Sequence, residues 1–162
     1  MVFKGTADAR GLRVAVVVSR YNDFVTDRLK AGALEALTAA GAAADAVDVL
    51  DVPGAYEIPQ AAREAAATAR YDAVVCLGCL IRGETPHFDY ISSSVAHGIM
   101  DASFMTGVPM SFGVLTTESA EQALERAVPG TANKGYEAAM AAIEMATLGR
   151  TVRAAGRGQA RP

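Results

Sequence analysis

The strongest constraint on how this chain can fold is an alternation. Short valine-rich runs are followed, one after another, by alanine-rich stretches with helical spacing. Residues 13–18 read RVAVVV, an unbroken apolar run of the kind a strand shows when a parallel sheet buries both of its faces. A polar loop over 19–23 leads to a helix over 26–40, with Leu29, Ala33, Ala36, Leu37 and Ala40 as its apolar stripe. Gly41 stands where a helix C-terminal glycine belongs. A second strand spans 46–52 and is broken by Pro53-Gly54-Ala55; a helix starts near Ile58 with Pro59 in its first turn. Residues 72–77 (DAVVCL) read as a third strand, 78–86 as a loop and 87–105 as a long helix. A fourth strand is expected over 108–115. A short helix follows over 119–127, where Ser119 and Gln122 have capping-box spacing, and a last helix covers 134–148. Repeated βα units in one domain, residues 1–149, call for a four-stranded parallel sheet with helices on both faces, a three-layer αβα sandwich. Residues 150–162 carry Arg150, Arg153, Arg157 and Arg161 and no acid, and read as a basic, disordered C-terminal tail.

Composition narrows the function. Half the residues are hydrophobic (51%), but much of that is alanine, with 5 Phe, 5 Tyr and no Trp. Alanine forms helix well but fills little core, so a chain of this kind gains from burying surface against a neighbour. The formal net charge of −3 argues against a nucleic-acid surface, which needs a basic face. No apolar run approaches the ~20 residues of a membrane span, and the first residues lack the pattern of a signal peptide. Two cysteines and no sign of secretion point to a cytoplasmic setting.

The candidate chemistry lies in the loops after the strands, because open α/β sheets bind ligands outside the carboxyl ends of their strands. The richest loop is Ile81-Arg82-Gly83-Glu84-Thr85-Pro86-His87-Phe88-Asp89. Thr85 fits as a helix N-cap and Pro86 as the first helical residue. Backbone N–H groups there, beside Gly83 and a hydroxyl, would form an anion site suited to phosphate; a capped helix with no ligand is the plain alternative. His87 sits in the first turn of the same helix, where a neutral, proton-accepting imidazole is favoured. The other histidine, His97, lies about 15 Å further along the helix axis, so the two cannot share a metal, and no other cluster has ligand spacing. Cys76-Leu77-Gly78-Cys79 has CxxC spacing, but Cys76 falls inside a strand rather than at a helix start, which disfavours a redox dithiol. No GxGxxG, P-loop or serine elbow appears. Arg126 and Lys134 flank a Pro-Gly loop and are further phosphate candidates, or else ordinary helix-end cations.

Together these segments resemble the lumazine synthase family of riboflavin biosynthesis. The matching pieces are Arg20-Tyr21-Asn22-Asp23-Phe24, Val52-Pro53-Gly54-Ala55-Tyr56-Glu57-Ile58-Pro59, Gly78 with Ile81 through Tyr90, Phe112-Gly113-Val114-Leu115-Thr116-Thr117-Glu118, and Asn133-Lys134-Gly135. They occur in the family's order and spacing. The resemblance implies a flavodoxin-like sheet and a condensation of 5-amino-6-(D-ribitylamino)uracil with 3,4-dihydroxy-2-butanone 4-phosphate. The substrates supply the reactivity, so it implies no cofactor and no metal. Carried over position by position, Tyr21 is the aromatic that stacks on the pyrimidine, and Ala55, Tyr56 and Glu57 grip that substrate, with Glu57 on the ribityl hydroxyls. Cys79, Leu80 and Ile81 read the uracil edge, largely through backbone. Glu84 and Thr85 cradle the phosphate, and His87 transfers the proton. Phe112 and Arg126 are donated across a subunit interface, Arg126 to the phosphate, with Lys134 a basic residue of the same region. The implied partners are the two small-molecule substrates and further copies of the chain, as pentamers and in many relatives an icosahedral cage, with riboflavin synthase as a possible companion. A flavin-binding or shell-forming member without catalysis is the rival reading.

Overall fold

The computed structural model describes residues 1–158. Its centre is a four-stranded, all-parallel sheet of β1 (Val14–Ser19), β2 (Val47–Val52), β3 (Ala73–Ile81) and β4 (Met110–Thr117), in the order β2-β1-β3-β4. The α-helices among the described residues are α1 (Asp23–Ala39), α2 (Ile58–Ala67), α3 (His87–Thr106), α4 (Ala120–Glu125) and α5 (Lys134–Gly158). The expected three-layer α/β sandwich is present, and its strand order is flavodoxin-like. Alternation along β1 explains the layers. Val14, Val16 and Val18 pack with Leu29, Leu37 and Ile143 on the α1/α5 face, while Ala15 and Val17 pack with Ile58, Val95 and Ile99 on the α2/α3 face. The central strands are therefore apolar along nearly their whole length, the buried Ser19 at the carboxyl end of β1 being the polar exception.

The α1 and α5 helices lie very close together. The side chain of Asn133, at the head of α5, is buried between them. Its Nδ2 donates to Arg28 O (3.1 Å) and Val128 O (3.0 Å), and its Oδ1 accepts from Gly135 N (2.8 Å) and Tyr136 N (3.2 Å). The amide satisfies the first free N–H groups of the helix and fixes its entry against α1.

Several boundaries differ from the sequence reading. β3 runs to Ile81, so Cys79, Leu80 and Ile81 lie on a strand instead of in a loop. Its extra length comes from β4, which pairs with it up to Ile81↔Thr117. Pro86, not Thr85, occupies the N-cap of α3, and no side chain caps that helix. A proline φ of −70° suits either position, so sequence could not separate them. α5 continues past Leu148 to Gly158, where a frayed segment is expected from Arg150. Arg150 supplies the reason: its guanidinium donates to Asp72 Oδ1 at 2.7 Å and to Gly11 O at 3.1 Å. The remainder of the expected tail, residues 159–162, lies outside the described residues. Gly41 behaves as expected: at φ 92° it closes α1, with Ala42 N on Leu37 O and Gly41 N on Thr38 O.

The equivalent position after α2 is Ala69, whose φ is 57°. A side chain with Cβ is strained there. Ala69→Gly is expected to raise stability by about 0.5 kcal/mol, the relief of strain exceeding the added freedom of the unfolded chain. The check is a higher urea midpoint with an unchanged slope.

Candidate active site at the strand ends

The direction in which strands are added to the sheet reverses between β1 and β3. From β1 the chain moves outward to β2, and from β3 it moves outward to β4. The crevice beyond the carboxyl ends at such a switch point is where ligands bind in open sheets. Here it is a cavity of about 470 Å³ lined by residues following β1, β2 and β3. The loop after β1 is held on both sides. Arg20 N donates to Val52 O (2.8 Å) and Tyr21 N to Pro53 O (3.1 Å), while Asn22 Nδ2 donates to Cys79 O at 2.9 Å. Asn22 adopts the left-handed conformation, φ 62° and ψ 46°, which Asn tolerates better than most residues. The Tyr21 ring is left 70% exposed, a free face beside the cavity.

Opposite it lies an open backbone edge. β1 pairs with β3 only as far as Leu77, whereas β4 pairs with it to Ile81. Arg82 N donates to Thr117 O, on the β4 side. Backbone groups alternate in direction along a strand, so those of Cys79 and Ile81 face away from β4, toward the cavity. The Asn22 bond to Cys79 O agrees with this. A flat heterocycle with amide-like donors and acceptors could pair with such an edge as another strand would.

The third wall is the start of α2 and α3. A single 3-10 turn, Ala55–Glu57, precedes α2; Ala55 is buried, while Tyr56 and Glu57 are exposed. Thr85 and His87 line the cavity from the head of α3. With no side-chain cap, the first N–H groups of this twenty-residue helix remain available to an anion. Thr85 is thus placed to join an anion through its hydroxyl instead of spending it on the cap.

The structure divides the residues singled out from sequence. Tyr21, Ala55, Tyr56, Glu57, Cys79, Leu80, Ile81, Thr85 and His87 line this cavity. Phe112, Arg126 and Lys134 do not. They line a second concavity of about 510 Å³ along the free edge of β4 and α5. The two have no lining residue in common. Glu84 lines neither. In the second concavity Lys134 pairs with Glu137 at 2.8 Å, while the Arg126 guanidinium donates, among the described residues, only to Gln122 O, at 2.9 Å. None of the ion pairs among the described residues involves Arg126.

Cys76 and Cys79 pack into the two different clusters, one on each face of the sheet. Three residues apart on a strand, they point in opposite directions and cannot form a disulfide. Burial pushes their thiols up to about 12 and about 11, so both stay protonated at neutral pH. Among the described residues, no three His, Cys, Asp or Glu side chains gather as a metal set, and no helix is long and apolar enough to cross a membrane. Sequence reasoning missed the roles of Asn22, Phe88 and Ile91, all lining the cavity. For Asn22 the signal was present: an asparagine directly between a strand-end loop and a helix.

Comparison with known families agrees with this geometry. The family model described as 6,7-dimethyl-8-ribityllumazine synthase matches residues 11–150, which takes in every strand and every side chain of both concavities. The chain belongs to the 6,7-dimethyl-8-ribityllumazine synthase family, a transferase family of riboflavin biosynthesis.

Proposed function

We propose that this chain condenses 5-amino-6-(D-ribitylamino)uracil with 3,4-dihydroxy-2-butanone 4-phosphate, giving 6,7-dimethyl-8-ribityllumazine, phosphate and water, at a site shared between two copies of the chain. The observation that carries the reading is the union, in one cavity, of the free Tyr21 ring, the open edge of β3 and the uncapped head of α3. A flat pyrimidine stacks on Tyr21 and pairs its uracil edge with backbone at Cys79, Leu80 and Ile81. Ala55, Tyr56 and Glu57 hold the ribityl chain, with the Glu57 carboxylate on its hydroxyls. The phosphate lies at the head of α3 against Thr85 and the backbone of Glu84.

The chemistry needs proton movement and little else. The pyrimidine's primary amine attacks the ketone and water leaves, giving an imine. Loss of phosphate follows, and the ribityl-bearing nitrogen closes the ring with loss of a second water. His87, beside the phosphate locus, moves protons between nitrogen and oxygen during these steps. Holding two reactants in line supplies most of the remaining acceleration. No metal or cofactor has a task in this scheme.

The neighbouring copy provides Phe112 and Arg126, with Lys134 close by. Two observations support that. These residues open onto a separate concavity at the free edge of β4, and Met100, Phe104 and Met105 of α3 are large apolar side chains left exposed. Rings of five, and a cage built from such rings, are the assembly we propose.

The test is to mix both substrates with pure protein and follow the product's absorbance. The wild-type chain should form lumazine well above the spontaneous rate. His87→Ala should lower kcat by roughly 100-fold or less, the low end for an acid–base group, because the substrates also react unaided. A wild-type rate equal to the uncatalysed one would refute the reading.

A further inference from the structure

Arg82 does not line the cavity, yet it joins the three elements around its phosphate end. Its N–H donates to Thr117 O on β4 at 2.9 Å. Its guanidinium reaches Glu118 Oε2 at 3.0 Å and Asp89 Oδ1 at 3.1 Å, and lies over the Phe88 ring at 4.4 Å from the centroid. Phe88 is a wall of the cavity. Both carboxylates are more exposed than the arginine, 64% and 58% against 38%. Exposed pairs of this kind add little stability, roughly 0–1 kcal/mol each, so stability does not account for the arrangement.

Electrostatics does. Asp89 lies in the first turn of α3, where its charge suits the helix dipole but repels any anion bound to the same N–H groups. Glu118 follows β4 directly and adds a second negative charge. A phosphate at the head of α3 would meet both. We propose that Arg82 is a positioning and charge-balancing residue: it cancels the Asp89 and Glu118 carboxylates beside the phosphate locus and holds Phe88 as the cavity wall. This rests on the reading under Proposed function. The two carboxylates take the Nε and Nη1 donors of Arg82, so much of its charge is spent on them.

The assembled enzyme is tested with inorganic phosphate as the probe, by calorimetry, together with KM for each substrate. Arg82→Ala should weaken phosphate binding and raise KM for the phosphate substrate roughly tenfold at low salt, and less at high salt. KM for the pyrimidine should stay within about twofold, as expected for a charge effect confined to the phosphate end by screening. Adding Asp89→Asn and Glu118→Gln to Arg82→Ala should restore most of the lost affinity, because the unmasked charges are gone. If Arg82→Ala binds phosphate as wild type does, the assignment is overturned. It is equally overturned if the triple variant is as weak as the single one, which would leave a purely structural arginine. A wild-type enzyme that neither binds phosphate nor forms lumazine overturns the underlying reading, and this assignment with it.

Discussion

Replacing Gly135 with alanine is expected to lower the unfolding free energy by about 3 kcal/mol, near the upper end for overpacking a core. A Cβ at this position would overlap the Leu29 carbonyl oxygen, with Leu29 C 2.7 Å away and Leu29 Cα 2.9 Å away. The obstacle is the backbone of α1, which no rotamer change can move. To admit the methyl, α5 must retreat from α1, and the Asn133 amide that bonds to both helices must then lose partners. Gly32 repeats the constraint from the other helix, since a Cβ there would run into the Asn133 side chain. Gly156 provides the control. Nothing lies within 4 Å of its Cβ position, so Gly156→Ala should be neutral or stabilise by up to about 1 kcal/mol, through helix propensity alone. Urea midpoints at one fixed protein concentration separate the two effects, because assembly makes apparent stability depend on concentration. Equal midpoints for wild type and Gly135→Ala would mean that the two helices are not locked as described.

Arg126→Ala carries the second large effect, and on activity rather than stability. Lys134 in the same concavity is already neutralised by Glu137, whereas Arg126 spends one N–H on a backbone carbonyl and pairs with no carboxylate among the described residues. Its charge is therefore available to a ligand. Losing a charged hydrogen-bonding partner costs about 1.5–3 kcal/mol, so KM for the phosphate substrate should rise roughly 10- to 150-fold. The fold should be unaffected, because the side chain is exposed. A KM within twofold of wild type would remove Arg126 from the site.

How much of this could be read from sequence depends on where each residue's environment is set. β1 and the first part of β3 were legible because both faces are buried, which leaves an unbroken apolar run. The last part of β3 was not. Gly78 and Cys79 read as loop, and only pairing with β4, over thirty residues away, makes them strand. The end of α5 failed for the same reason. A Gly- and Arg-containing segment reads as frayed until Arg150 finds Asp72, a contact across 78 residues of sequence. The cavity residues were legible as a group, since the strand-end rule gathers them in any open α/β sheet. The separation of Arg126 from that group follows in part from its place past the fourth strand and a further helix, whereas that of Phe112 was anticipated only by family resemblance. Its physical basis, the free edge of β4 facing outward, appears only once the strand order is known. The Thr85 cap was a local misreading: Pro86 takes the N-cap and the Thr85 hydroxyl makes no capping bond.

The central claim is that lumazine forms at a site which two copies of the chain complete together. It is tested most directly by complementation between two impaired variants, His87→Ala, which removes a group of the first cavity, and Arg126→Ala, which removes one of the second. Each is refolded alone, the two are then refolded together, mixing is verified by native mass, and lumazine formation is measured. In a mixed ring some interfaces bring a wild-type first cavity against a wild-type second concavity, so activity should rise above that of either parent. Rings proven to be mixed that stay as inactive as the parents would contradict the shared site.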